Sequence, residues 1–148
     1  MKLLKLLILS TVLILPLSGY SQLSRGSDVF DKHYKYMTQG KSSGSFYYGK
    51  RLGSGDTLIV AVRYTSSRLA YQITYYLLSG KDLTGSQVGE LKRMNSSYPF
   101  VSSRRADYQE ENTIGSVWLM KNKEPQKDGS YLYMYTFVNA IDAIKQYR

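Results

Sequence analysis

Cysteine is absent from the whole 148-residue sequence. Without it the chain can form no disulfide framework, no thiolate nucleophile and no lipid attachment through a cysteine side chain. Small exported domains commonly depend on disulfide bonds, because a small core supplies little stability. We therefore expect packing and hydrogen bonds to hold this chain together.

Histidine is scarce as well, since His33 is the single one. One histidine excludes a zinc site built on paired histidines and an acid–base mechanism that uses two. The sequence also lacks the G-x-S-x-G turn of a nucleophilic serine, and Gly53-Ser54-Gly55 lacks the lysine of a phosphate-binding loop. These absences favour a protein with no catalytic centre, no metal and no cofactor.

One enzymatic alternative stays open. A small basic nuclease uses a general base, an arginine and a histidine on a sheet that faces a helix. The chain contains residues of those types, namely His33, either Glu90 or Glu110, and either Arg104 or Arg105.

The first part of the chain lacks an apolar run long enough to span a bilayer, which takes about 20 residues. The run at residues 6–17 is shorter, follows two lysines, and is followed by the small residues Gly19 and Ser21. A basic start, a short apolar stretch and small residues before the cut are the three parts of a secretory signal peptide. The sequence thus predicts a signal peptide over residues 1–21, no permanent membrane anchor, and export to the periplasm or out of the cell.

Acidic residues are outnumbered, with 11 Asp and Glu against 20 Lys and Arg. Removal of the signal peptide takes away Lys2 and Lys5 and leaves a net charge of +7 on residues 22–148. Such an excess attracts acidic proteins, acidic glycans, lipopolysaccharide or nucleic acid alike. The basic residues form no run of five or more, so nothing in the sequence favours nucleic acid in particular.

A central pair of strands is the clearest structural signal, and it covers Gly55 to Ser79. Apolar and aromatic residues alternate through both halves, as in strands with one buried face. Thr65 to Arg68 would form the turn. The expected inward set of the second strand is Leu69, Tyr71, Ile73, Tyr75 and Leu77.

The other elements follow from the helical or alternating spacing of apolar residues. We predict helices within 23–40, from Thr84 or Ser86 to Asn95, and at 139–148, and strands at 45–52, 98–110, 113–121 and 130–138. The last two strands would form a second hairpin across the connection 122–129. The order is helix, three strands, helix, three strands, short helix. The prediction is a single α+β domain over residues 22–148, with a mainly antiparallel sheet of five to six strands and helices packed on one face.

Tyrosine is abundant, with 15 residues. Tyr131, Tyr133 and Tyr135 alternate in the last strand and would stand in a row, and Tyr71 and Tyr75 would form a similar pair in the central hairpin. Covered by helices, such a row is core packing; exposed, it is an aromatic platform for sugars or unstacked bases. The candidate binding residues are Tyr71, Tyr75, Trp118, Tyr131, Tyr133 and Tyr135, with the basic residues Arg104 and Arg105.

These features favour an exported, non-catalytic binding domain that contacts a protein or an acidic polymer through a tyrosine-rich sheet face. An inhibitor or immunity protein directed against a secreted enzyme or toxin fits the same features. The nuclease is the third hypothesis.

Overall fold

A computed structural model describes residues 22–104 and 108–146. The signal peptide predicted at residues 1–21 lies outside the described residues, as does Arg105. The elements in chain order are α1 (Ser27–His33), β1 (Lys35–Gln39), β2 (Phe46–Arg51), β3 (Thr57–Tyr64), β4 (Ala70–Leu77), α2 (Gly85–Asn95), β5 (Phe100–Ser102), β6 (Glu110–Asn112), β7 (Val117–Pro125), β8 (Tyr131–Asn139) and α3 (Ala140–Gln146).

The strands form one antiparallel sheet in the order β1-β2-β3-β4-β8-β7-β6-β5. The predicted α+β class and antiparallel sheet are confirmed. The sheet is larger than predicted, with eight strands instead of five or six. The element order also differs, since four strands precede the second helix and four follow it. The β4–β8 pairing joins the two halves, so β8 lies in the middle of the sheet.

The central hairpin is confirmed as β3 and β4. Val60 pairs with Tyr75 and Val62 with Ile73, and all four side chains are buried. The register shifts next to Tyr64, which is a β-bulge.

The bulge corrects the expected inward set of β4. Ala70 packs in the core cluster of Ile73 and Tyr75, whereas Tyr71 packs against the cluster of Trp118 on the opposite face. One extra residue in a strand reverses the faces of the residues beyond it. Tyr71 and Tyr75 therefore do not form a pair, contrary to the prediction.

The predicted N-terminal helix is right only in its first half. α1 ends at His33, and Lys35–Gln39 forms the edge strand β1. Tyr36 pairs with Tyr48 in β2, and their ring centres are 5.7 Å apart. Strand pairing satisfies the backbone of this aromatic and threonine-containing stretch, which overrides its weak helical periodicity. Helical spacing over residues 23–40 would place His33 on the inner face of a helix, but its side chain is exposed.

The predicted strand at residues 98–110 is two short strands, β5 and β6, which pair with each other. The second hairpin is confirmed as β7 and β8, which pair over their full length from Val117 to Pro125. This long hairpin carries the tyrosine row.

Helices cover both faces of the sheet. Phe30 of α1 and Leu91 of α2 belong to the same buried cluster as Val60 and Phe137. Ala143 of α3 packs on the other face, against Trp118 and Val138. The expectation of helices on one face is therefore wrong for α3. Since α3 follows β8 without a loop, it folds onto the face toward which Val138 points.

Candidate functional site

The tyrosine row of β8 runs from the surface into the core. Its residues lie on the face that α1 and α2 cover, since Tyr135 and Phe137 belong to the same buried cluster as Phe30. Tyr131 is 43% exposed, whereas Tyr135 is 5% exposed and Phe137 is fully buried. Core packing and an exposed platform therefore both occur, at opposite ends of one row.

The exposed end of the row lies on a two-stranded ribbon that extends past the rest of the sheet. Among the described residues, β4 pairs with β8 over Gln72–Tyr75, and β6 pairs with β7 at Glu110 and Glu111. β7 and β8 stay paired with each other as far as Pro125 and Tyr131. All residues from 122 to 131 are exposed, so the ribbon offers its surface to solvent.

Two lysines alternate with the tyrosines on the ribbon. Lys121 and Lys123 lie directly across the strands from Tyr135 and Tyr133. The Lys123 ammonium is 4.8 Å from the centre of the Tyr131 ring, and the Lys121 ammonium is 5.5 Å from that of Tyr133. These distances are typical of cation–π contacts. We call Lys121, Lys123, Tyr131 and Tyr133 the tyrosine–lysine ladder.

Asp82 holds the inner end of the ladder in place. Its two carboxylate oxygens accept hydrogen bonds from the Tyr135 hydroxyl and the Lys121 ammonium, each at 2.7 Å. Partial burial would raise the pKa of Asp82, but the hydrogen bonds from Lys121 and Tyr135 outweigh it and lower that pKa below its ordinary value. The hydrogen bond between Lys121 and Asp82 also raises the pKa of Lys121. Lys121 is thus a compensated charge, and Lys123 supplies the outer positive charge of the ladder.

The lowered pKa of Asp82 makes a prediction about stability and pH. The ionised carboxylate stabilises the folded state at every pH above its ordinary pKa of about 4, and this contribution is lost as the pH falls through the lowered folded value. Asp82→Asn should therefore reduce the free energy of unfolding at pH 6, by less than about 1 kcal/mol because the pair is partly exposed and screened. As the pH falls through the lowered folded pKa of Asp82, the difference in stability between the variant and the parent protein should shrink toward zero in urea denaturation. A difference that grows as the pH falls would contradict the assigned bonds.

Tyr71 and Trp118 lie on the opposite face of the sheet from the ladder. They border a cleft of about 450 Å³ between the sheet and α3. Tyr108 packs against Trp118 with a ring distance of 4.4 Å, and Trp118 is itself buried. The sheet separates these side chains from Tyr131, so the predicted binding residues do not form one surface.

Tyr75 belongs to a buried polar network. Its hydroxyl donates to the side-chain oxygen of Gln22 at 2.5 Å and accepts from the Asn95 amide at 3.1 Å. The Gln22 amide in turn donates to the Tyr34 hydroxyl at 3.1 Å. Burial raises the pKa of Tyr75 well above its ordinary value. This tyrosine is a structural residue of the core and is closed to an outside ligand.

The residues of the nuclease hypothesis are scattered. Glu110 forms a salt bridge with Lys92, and Arg104 is exposed beyond β5 near the far edge of the sheet. His33 lines a recess at the other end of the sheet, and Glu90 lines the recess next to it. Within the described residues, Arg104 lies away from the recesses that His33 and Glu90 line. Arg105 lies outside the described residues.

Within the described ranges, no group of three or more histidine, aspartate or glutamate side chains is placed to hold a metal ion. Every helix in those ranges falls short of the length and apolar character that a bilayer-spanning segment needs.

The lysines of the ladder were missed in the sequence analysis, although a signal for them exists. Lys121 and Lys123 have the alternation of a strand, and the turn between β7 and β8 fixes their register against the tyrosines. The predicted strands stop at residue 121 and resume at residue 130, which left Lys123 in the connection. β7 runs on to Pro125, and this extension places both lysines beside the aromatic row. Asp82 could not have been found in this way, because it comes from the distant loop before α2.

Comparisons with models of protein families, with curated proteins and with solved structures found no match to this chain.

Proposed function

We propose that this protein is an exported, non-catalytic binding domain that holds an acidic polysaccharide on its tyrosine–lysine ladder. The observation that carries the proposal is the alternation of ammonium groups with two rings, one exposed and one partly exposed, along a projecting ribbon. The export part of the proposal rests on the leader sequence at residues 1–21 and is tested by locating the protein after cell fractionation.

The chemistry of the ladder suits a sugar chain with carboxylate or sulfate groups. A tyrosine ring offers a flat apolar face to the C–H face of a sugar, and its hydroxyl stays in water. An ammonium group beside the ring pairs with an anionic substituent. Side chains two residues apart on a strand are separated by about 7 Å, so one sugar chain that runs along the ribbon can contact both rings.

The same geometry supports binding without catalysis. Cleavage of a glycosidic bond uses two carboxyl groups on either side of the bond. Asp82 is the carboxylate beside the ladder, and it is already engaged by Lys121 and Tyr135. Its role is to position those two side chains.

Removal of the two outer rings tests the proposal. Tyr131→Ser combined with Tyr133→Ser should weaken binding to a soluble acidic polysaccharide such as polygalacturonate at least tenfold, since each stacked ring contributes about 1–3 kcal/mol. Affinity electrophoresis and calorimetry would measure the loss. The parent protein should bind neutral dextran weakly, and added salt should weaken its binding to polygalacturonate.

Tyr98→Ser is the matched control, because Tyr98 is 49% exposed and lies outside the ladder. Lys123→Ala and Lys41→Ala form a second pair, one cation on the ladder and one in the turn before β2. Equal losses in each pair would reject the ladder as the binding surface. Equal affinity of the parent protein for dextran and for polygalacturonate would reject an acidic ligand. Preferential binding of single-stranded DNA would indicate nucleic acid instead.

A further inference from the structure

A second site lies at the other end of the same sheet face, where α1, α2 and β2 meet. Two neighbouring recesses share Tyr34, Lys50 and Met94 in their walls. The outer recess has a volume of about 320 Å³ and the inner one about 90 Å³. β3 and β4 separate this double recess from β8 and the ladder, so the two sites are distinct.

The outer recess is basic. Arg25 from the segment before α1 and Lys50 from β2 bring cationic side chains to one opening, and His33 at the end of α1 lines it as well. Within the described ranges, neither Arg25 nor Lys50 takes part in a salt bridge. The opening therefore carries uncompensated positive charge, which attracts an anionic group.

The inner recess is small and mostly apolar. Its walls include Leu52, Leu58, Leu83 and Leu91, with Gln87 and Glu90 beside them. A water molecule needs about 10–15 Å³ of such a volume, so the inner recess has room for a short chain of methylene groups. A polymer cannot enter it, whereas a short aliphatic chain can. The one acidic side chain in these walls is Glu90.

The shape of the double recess is set by the core. Gln22 and Tyr34 are both buried, and the hydrogen bonds that link them to Tyr75 hold the floor of the outer recess in place. Lys50 lies two residues after Tyr48 on β2. Tyr48 is buried against Phe30 of α1, with a ring distance of 5.6 Å. A site whose walls are already fixed loses little entropy when a ligand binds.

We propose that the double recess binds a small amphipathic anion. Its carboxylate or phosphate head pairs with Arg25 and Lys50 in the outer recess, and its short aliphatic tail occupies the inner one. Glu90 opposes the head by like-charge repulsion, and it limits the affinity. This proposal does not depend on the function of the ladder.

Hexanoate and hexyl phosphate are the probes, and 1-hexanol is the neutral match with the same tail. Titrations of the purified protein, followed by calorimetry and by amide shifts in NMR, should show saturable binding of at least one of the two anions and at least fivefold weaker binding of the alcohol. The two anionic arms distinguish a carboxylate head from a phosphate head. Lys50→Met should weaken binding of the preferred anion about tenfold.

Arg51→Met is the matched control, because Arg51 is the next residue on β2, carries the same charge and lines neither recess. It should leave the affinity unchanged, and Glu90→Gln should raise it about threefold. Thermal melting of each variant shows whether a loss of binding is caused by unfolding. If Lys50→Met unfolds, the gain in affinity of Glu90→Gln decides whether the anion binds in the double recess. The proposal is overturned if neither anion saturates, if 1-hexanol binds as tightly, or if Arg51→Met weakens binding as much as Lys50→Met.

Discussion

Replacement of Phe137 by alanine is expected to lower the free energy of unfolding by about 3–5 kcal/mol, the usual cost of deleting a fully buried phenyl ring. Phe137 is fully buried at the centre of the sheet, in register with Ile73 of β4 and Leu119 of β7. Its ring meets those of Tyr75 and Phe100 edge to face, at 5.8 Å and 5.9 Å. The large cost follows because α2 and the sheet cannot close around the cavity without moving both.

A loss of that size is a large fraction of the 5–15 kcal/mol that holds a typical domain folded. The measurement is equilibrium unfolding in urea, followed by tryptophan fluorescence and by circular dichroism. Tyr131→Ala is the matched control, because Tyr131 stands in the same row of the same strand with nearly half of its surface exposed. It should cost less than about 1 kcal/mol. Similar losses at the two positions would mean that the row is not graded from surface to core.

The contrast between Phe137 and Tyr131 also shows what alternation can predict. It correctly placed the row on one face of β8, because the side-chain period of a strand is two. It could not distinguish core from surface along the row. That difference arises because β4 and β6 flank only the inner half of the β7–β8 hairpin, and their pairing joins residues far apart in sequence.

The errors in the fold have local causes. At Lys35–Gln39 a five-residue strand and a helical turn give similar patterns, and the pairing of Tyr36 with Tyr48 decides between them. At Tyr71 a single extra residue reversed the face, and no turn residue in the sequence announces the bulge. Trp118, a candidate binding residue, is buried beside Ala143 of α3.

Parts of the candidate site were within reach of the sequence. The hairpin prediction contained Tyr131 and Tyr133, but it ended the first strand at residue 121 and so left Lys123 in the connection. The double recess was beyond reach, because Arg25, His33 and Lys50 come together through the packing of α1 on β2. In the sequence, Arg25 and Lys50 carried no signal beyond their charge.

Among the buried polar residues that the structure describes, replacement of Asn112 is expected to cause the largest loss of stability. Its side chain is 1% exposed and makes four hydrogen bonds. The amide oxygen accepts from the backbone N–H groups of Ser116 and Val117, at 2.8 Å and 3.2 Å. The amide nitrogen donates to the hydroxyls of Ser116 and Ser96, at 2.9 Å and 3.0 Å. Ser96 caps the C-terminal end of α2, directly after its last residue. The Asn112 side chain therefore connects the helix, β6 and β7.

Asn112→Ala should therefore lower the free energy of unfolding by about 2–4 kcal/mol. A buried N–H left without a partner costs about 1–3 kcal/mol, and alanine deprives two N–H groups of their acceptor at once. Urea denaturation measures the loss, and Asn122→Ala is the control, because Asn122 is exposed on the ribbon and should change the stability by less than about 0.5 kcal/mol. A cost below 1 kcal/mol at Asn112 would mean that water replaces the amide, which requires the junction of α2 and the sheet to open to solvent.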